Sequence, residues 1–166
     1  DQERKGGCSG RKNSQKASGF SLSLILNWLE EILYLCCGQH VSFFLMQERK
    51  APSRRLIDEG AIVAVATDFN PGSSMTESMF FILQLAVFSL KMEIEEAINA
   101  ATANASYALR KQDMIGSLES GKKMDLILCD APNYPYLVYH FGVNPIKHVI
   151  KNGKVVVQDA KIHRKP

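Results

Sequence analysis

The sequence predicts an α/β fold from three observations along its length. A short, continuously apolar run at residues 61–67 lies between Gly60 and Asp68, as in a strand buried on both faces of a parallel sheet. Apolar residues at helical spacing occur on both sides of this run. After Gly116 the pattern changes to short antiparallel strands, which predicts a boundary between two structural units.

The helices follow from apolar periodicity and from capping residues. The first is expected to end at Gly60, a residue type that favours the position just beyond a helix. The next is expected to begin just after Ser74, because Ser74 and Glu77 form the pattern of a capping box. The predicted helices span residues 51–59, 75–91 and 93–110.

Short strands are predicted after Gly116, where turn residues separate brief apolar segments. The dipeptide Asn152-Gly153 is typical of a two-residue hairpin turn. The predicted strands span residues 124–129, 136–139, 147–150 and 154–157.

Composition and charge exclude several classes of protein. The chain has 166 residues, of which 46% are hydrophobic, and a net charge of +3, so it is globular rather than fibrous or wholly disordered. The positive charge lies in residues 1–19, a polar segment that is expected to be a solvated basic tail. The neutral remainder predicts no nucleic-acid partner.

Residues 20–42 form a separate leader with helical spacing of its leucines. Within it, the apolar stretch 20–37 is interrupted by Asn27, Glu30 and Glu31. Charges in the middle of a membrane helix are costly, so the stretch is expected to pack against protein and not to span a membrane.

The four cysteines show neither a C-x-x-C motif nor zinc-finger spacing with histidine. Adjacent Cys36 and Cys37 are poorly placed to bridge each other. This pattern is typical of a reducing compartment and predicts a cytoplasmic protein.

Asp68 and the segment after it form the principal candidate site. A carboxylate at the carboxyl end of a buried parallel strand can bind a metal or act as a general base. If a helix begins after Ser74, the backbone N–H groups of Gly72, Ser73 and Ser74 could bind an anion. The residues alone equally allow an Asx-turn in which Asp68 only closes the loop.

Longer motifs resemble one known family. TDFNPGSS (67–74) and YHFGVNPIKHVIKNGKVVV (139–157) resemble the C-terminal part of the imidazolonepropionase family, within the metal-dependent amidohydrolases. NAATANASYAL (99–109) and GSLESGKKMDLILCD (116–130) support the match, the latter with the less specific pattern of the whole superfamily. The resemblance extends from about residue 43 to residue 157.

The resemblance implies the C-terminal part of a β/α (TIM-type) barrel in residues 43–115 and strands of a small β-sandwich in residues 116–166. It implies hydrolysis of 4-imidazolone-5-propanoate to N-formimidoyl-L-glutamate, a step of histidine degradation that uses one zinc or iron ion. Asp68 would ligate the metal and transfer the proton of water. By the same resemblance, Asn70 and Gly72 would contact the product and Ser73 the substrate.

Two departures predict that this chain by itself is inactive. Its four histidines, at positions 40, 140, 148 and 163, form no His-x-His motif, and one aspartate cannot replace the three or more protein ligands of a catalytic zinc. In addition, an eighth barrel strand needs about 200 preceding residues, whereas 67 precede Asp68. The chain is therefore expected to be a C-terminal part of the enzyme.

Two other interpretations remain beside this one. The chain could be a non-catalytic remnant, either an interaction module or a degenerate product. It could also be an amidohydrolase for a different cyclic amide or amine. The expected partner is a small-molecule substrate, and a homodimer is compatible with the sequence.

Overall fold

The computed structural model describes residues 50–162. The predictions for the basic tail (1–19) and the helical leader (20–42) lie outside this range. The described elements are α1 (Ser53–Asp58), α2 (Met79–Phe88), α3 (Ile94–Ala101), α4 (Ala103–Ala108), β1 (Leu126–Cys129), α5 (Tyr136–Tyr139), β2 (Ile146–Lys151), β3 (Lys154–Gln158) and β4 (Lys161–Ile162).

The hydrophobic core lies between α1, α2, α3 and the segment 61–67. Helix α2 contributes the largest share, because most of its side chains are apolar and buried. The buried members of the core are Leu56, Val63, Val65, Phe80, Ile82, Leu83, Ala86, Leu90, Met92, Ala97, Ala100 and Val138.

The centre of the apolar run at 61–67 is buried as predicted, at Val63, Ala64 and Val65, and the residues on either side of it are partly exposed. The run pairs with no other strand among residues 50–162. The N–H of Val65 instead donates to the carbonyl of Ala100 at 3.1 Å, and the carbonyl of Val63 accepts from the Asn104 side chain at 2.8 Å. Because buried backbone groups need hydrogen-bond partners, α3 and α4 supply here what a neighbouring strand supplies within a sheet.

The predicted start of the second helix is wrong. Helix α2 begins at Met79, and the side chain of Ser78 caps it by accepting from the N–H of Phe81 at 3.2 Å. The hydroxyl of Ser74 donates to the carbonyl of Thr67 at 2.8 Å. Ser74 therefore stabilises the preceding loop, and Ser78 caps the helix in its place.

The predicted helix over 93–110 is divided in two. Its axis breaks at Thr102, whose φ of −123° and ψ of −89° are not helical. The break allows Asn104 to reach Val63 and brings Ser106 against Gly116. Tertiary contacts on both sides of Thr102 thus override a pattern that locally favours one continuous helix.

The second half of the chain forms a four-stranded antiparallel sheet in the order β1-β2-β3-β4. The Asn152-Gly153 turn is confirmed, with φ of +48° and +74° at its two residues. The predicted strand at 136–139 is wrong, because these residues form helix α5. The side chain of Asn133 accepts from the N–H of Tyr136, the first residue of this helix. The described range contains one sheet, so the β-sandwich stays a prediction.

Helix α5 joins this sheet to the helical core. Val138 is buried within the core cluster, and the side-chain amide of Gln84 in α2 donates to the carbonyl of His140 at 3.4 Å. The hydroxyl of Tyr134 also donates to Glu95 on α3. The residues on either side of Gly116 therefore share one packed interior.

No described helix combines the length and the apolar character needed to cross a bilayer.

A bidentate ion pair joins α1 to α3. Arg54 donates to both carboxylate oxygens of Glu96, at 2.7 and 3.1 Å, and Glu96 also accepts from the N–H of Glu93 at 2.8 Å. The hydrogen bonds from Arg54 lower the pKa of the Glu96 carboxyl from its ordinary value of 4.5.

We expect the stabilisation from Glu96 to depend on pH. A lowered carboxyl pKa stabilises the fold fully above about pH 4.5, and the contribution is lost as the pH falls through the lower pKa of the folded state. Glu96→Gln should therefore reduce the free energy of unfolding at neutral pH and have a smaller effect near pH 3, as measured by urea denaturation. The exposed Glu77→Gln serves as the control, and an equal loss at both pH values would contradict the assignment.

Candidate functional site

The candidate site is the loop at residues 68–74, which follows the buried segment containing Val63 and Val65. Asp68 is exposed at the start of the loop and has a φ of +43°. This left-handed conformation is uncommon for residues other than glycine, although aspartate and asparagine adopt it more readily than most. The chain therefore changes direction sharply at Asp68, the first of the predicted site residues.

Asn70 forms the centre of this loop. Its Oδ1 accepts from the N–H of Gly72 at 3.0 Å, from the N–H of Ser73 at 2.9 Å and from the hydroxyl of Ser73 at 3.1 Å. Its Nδ2 donates to the carbonyl of Asp68 at 2.8 Å. The four predicted site residues Asp68, Asn70, Gly72 and Ser73 are thus brought together through one asparagine side chain.

Ser74 closes the loop and has a role that the sequence analysis missed. Its backbone exchanges hydrogen bonds with that of Asn70, at 3.0 and 3.2 Å, and its buried hydroxyl holds the carbonyl of Thr67. The sequence contains little sign of these hydrogen bonds, because a serine four residues after an asparagine is not a recognisable motif. The capping-box pattern with Glu77 instead predicted that the hydroxyl of Ser74 caps a helix.

The predicted anion site at a helix N-terminus is wrong in its geometry. Helix α2 begins at Met79, so Gly72 and Ser73 do not form the first turn of a helix. Their N–H groups donate to Asn70 Oδ1. An Asx-type turn is present, and its acceptor is the side chain of Asn70 rather than that of Asp68.

The described residues do not form a complete metal site. No three histidine, cysteine, aspartate or glutamate side chains within residues 50–162 are grouped closely enough to hold an ion. A catalytic zinc is held by about three protein ligands. Asp68 is therefore not grouped with further potential metal ligands in the described part of the chain.

A separate cleft of about 670 Å³ lies beside the sheet, and no residue of the 68–74 loop lines it. His140 and Lys147 contribute to its wall, together with Asp130 and Asp159. The neighbouring His148 has its Nε2 3.9 Å from Asp159 Oδ1. These histidines therefore belong to the region of the sheet and are not grouped with Asp68.

Comparison with known proteins identifies the family. The chain is 45% identical over 121 residues to the imidazolonepropionase of Treponema denticola, and 49% identical over 122 residues to that of Geobacillus kaustophilus. These matches cover 73–74% of the chain but 28–29% of the relatives, so the chain spans less than a third of their length.

A structural match agrees with the sequence matches. A zinc-containing adenosine deaminase from Xanthomonas campestris superposes with a TM-score of 0.69 at 23% identity, over 77% of this chain and 33% of that one. The described residues therefore adopt part of an amidohydrolase fold. The amidohydrolase family pattern matches residues 41–156, and the chain belongs to the amidohydrolase family.

Proposed function

We propose that this chain supplies the aspartate-bearing C-terminal part of an imidazolonepropionase. In this reaction water adds to the ring carbonyl of 4-imidazolone-5-propanoate and the carbonyl C–N bond breaks. The carbonyl carbon becomes the α-carboxylate, and the released nitrogen becomes the terminal nitrogen of the formimidoyl group, which stays on the α-nitrogen of N-formimidoyl-L-glutamate. The observation that carries the proposal is the high identity to two imidazolonepropionases over a continuous stretch that includes the whole 68–74 loop.

The proposal assigns different roles to the four loop residues. Exposed Asp68 would be one ligand of a zinc or iron ion and would accept the proton of the attacking water, since a carboxylate can act as a general base. The backbone of Gly72, also exposed, and the hydroxyl of Ser73 would contact the product and the substrate. Asn70 would contact the product through the amide hydrogen that does not bind Asp68.

The same proposal assigns residues 43–115 to the barrel and residues 116–166 to a β-sandwich. The remaining metal ligands, including a His-x-His motif, would come from outside these 166 residues, because the chain has no such motif. The absence of paired cysteine spacing agrees with a cytoplasmic enzyme. We expect the chain to have no turnover alone.

Complementation tests this proposal directly. The full chain is co-expressed with the tagged upstream part of the Geobacillus kaustophilus enzyme, ending where the similarity begins. We expect the two parts to co-purify and to convert 4-imidazolone-5-propanoate into a product heavier by one water, as measured by mass spectrometry. Each part alone is the control. Failure to co-purify, or co-purification without turnover, would contradict the proposed function.

Gly72→Ala separates ligand contact from loop structure. A Cβ at this position would lie 3.4 Å from Asn70 Oδ1, which is ordinary van der Waals contact, and the φ of Gly72 is not in the left-handed region. We therefore expect unchanged thermal stability and weaker product inhibition of the complemented enzyme, since the proposal places Gly72 against the product. Unchanged product inhibition would argue against contact between Gly72 and the product.

A further inference from the structure

We infer that Asn70 is a positioning residue, which holds Asp68 in its left-handed conformation and uses its own amide oxygen to close the loop. The kinetic consequence of this inference rests on the proposed function. The structural claim does not, because it concerns hydrogen bonds within the described chain.

The Oδ1 of Asn70 accepts as many hydrogen bonds as it can hold. An amide oxygen offers two lone pairs, and three donors from Gly72 and Ser73 lie within 2.9–3.1 Å of it. The oxygen is therefore fully engaged inside the protein. A role for Asn70 as an acceptor toward a ligand would require the loop to open first.

The nitrogen of the same amide binds the backbone of Asp68. Nδ2 donates to the carbonyl of Asp68 at 2.8 Å, and Asp68 has the φ of +43°. A hydrogen bond to this carbonyl fixes the peptide plane that follows Asp68. It therefore favours the conformation in which Asp68 turns away from the preceding segment.

Ser74 anchors the loop at its other end. Ser74 is 1% exposed, and its hydroxyl donates to the carbonyl of Thr67, immediately before Asp68. The backbones of Asn70 and Ser74 also exchange hydrogen bonds. Asp68 thus lies between a carbonyl held by Ser74 and its own carbonyl held by Asn70, so both flanking peptide planes are fixed.

Two substitutions in the full chain separate the donor and acceptor functions. Asn70→Ala removes both, whereas Asn70→Asp keeps an acceptor and loses the donor to Asp68. Amide exchange at Gly72 and Ser73 should become about fivefold faster in Asn70→Ala, the size expected for one ordinary hydrogen bond. It should stay close to the wild-type rate in Asn70→Asp.

Both substitutions should allow Asp68 to leave its left-handed conformation, because both remove the hydrogen bond to its carbonyl. We expect its H–N–Cα–H coupling and its carbonyl chemical shift to move away from the wild-type values, as measured by NMR of the labelled full chain. Asn144→Asp is the matched control, since the Oδ1 of this exposed asparagine accepts from the N–H of Ile146 in a different loop. Unchanged Asp68 signals in both Asn70 variants would overturn the inference.

The kinetic readout distinguishes positioning from ligand contact. In the complemented enzyme, Asn70→Asp should lower kcat by tenfold or more with little change in KM, whereas loss of a ligand contact alone would raise KM with kcat retained. That second pattern would overturn the catalytic part of the inference. If the wild-type complex shows no turnover, the proposed function fails, and the NMR result still decides whether Asn70 holds Asp68.

Discussion

Asp68→Asn is expected to reduce the turnover of the complemented enzyme by about 10²–10⁴-fold, the usual contribution of a general acid–base group. Asparagine has nearly the same shape as aspartate but cannot accept a proton from water at neutral pH. The backbone carbonyl that binds Asn70 is retained in this variant. The loss should therefore appear in kcat, measured with the purified two-part complex.

Asp113→Asn is the control for this substitution, because Asp113 is also exposed and lies outside the 68–74 loop. It should leave kcat unchanged. The amide exchange of Gly72 and Ser73 should match wild type in both variants, which would show that the loop keeps its structure. Full turnover in Asp68→Asn would remove Asp68 from the reaction and contradict its proposed role.

Gly116→Ala is expected to destabilise the fold by about 2–4 kcal/mol, since it combines overpacking with an unfavourable backbone conformation. A Cβ at this position would lie 2.4 Å from the Oγ of Ser106 and 2.5 Å from its Cβ. The φ of Gly116 is +96°, which side chains rarely adopt. Ser106 is buried and hydrogen-bonded to Ala103, so it cannot move away without loss.

Gly121→Ala isolates the contribution of the clash. Gly121 has a similar φ of +91°, but nothing lies within 4 Å of its added Cβ. This variant should lose only about 1–2 kcal/mol, the cost of the left-handed backbone. Urea denaturation of both variants measures the difference, and equal losses would show that Ser106 and Gly116 are not in close contact.

Several elements could be predicted from the sequence because local chemistry determines them. The first helix ends near Gly60, whose φ is +86°, and Asn152-Gly153 forms a turn with two left-handed residues. Both depend on residue types that adopt positive φ more readily than most. The apolar run at 61–67 likewise predicted burial, because apolar side chains leave water whichever segment of the chain they pack against.

The partners of that buried run could not be predicted. Its carbonyl and N–H groups bond to Asn104 and Ala100, which are distant in sequence. The position of Asn104 in turn requires the break at Thr102, although the local pattern favours one continuous helix. The hydrogen bonds of the run and the break at Thr102 depend on contacts between segments that are distant in sequence. The residue pattern within one segment contains no information about such contacts.

In the candidate site, too, some features follow from the sequence and others only from the tertiary structure. The sequence by itself determined which residues the loop contains and that it follows a buried segment, since both depend on order along the chain and on hydrophobic burial. Only the tertiary structure decided how their polar groups are used. The hydroxyl of Ser74 can cap a helix or bind the carbonyl of Thr67, and because Ser74 is buried beside that carbonyl it takes the second role. That choice moved the start of α2 to Met79 and left the loop to be organised by Asn70.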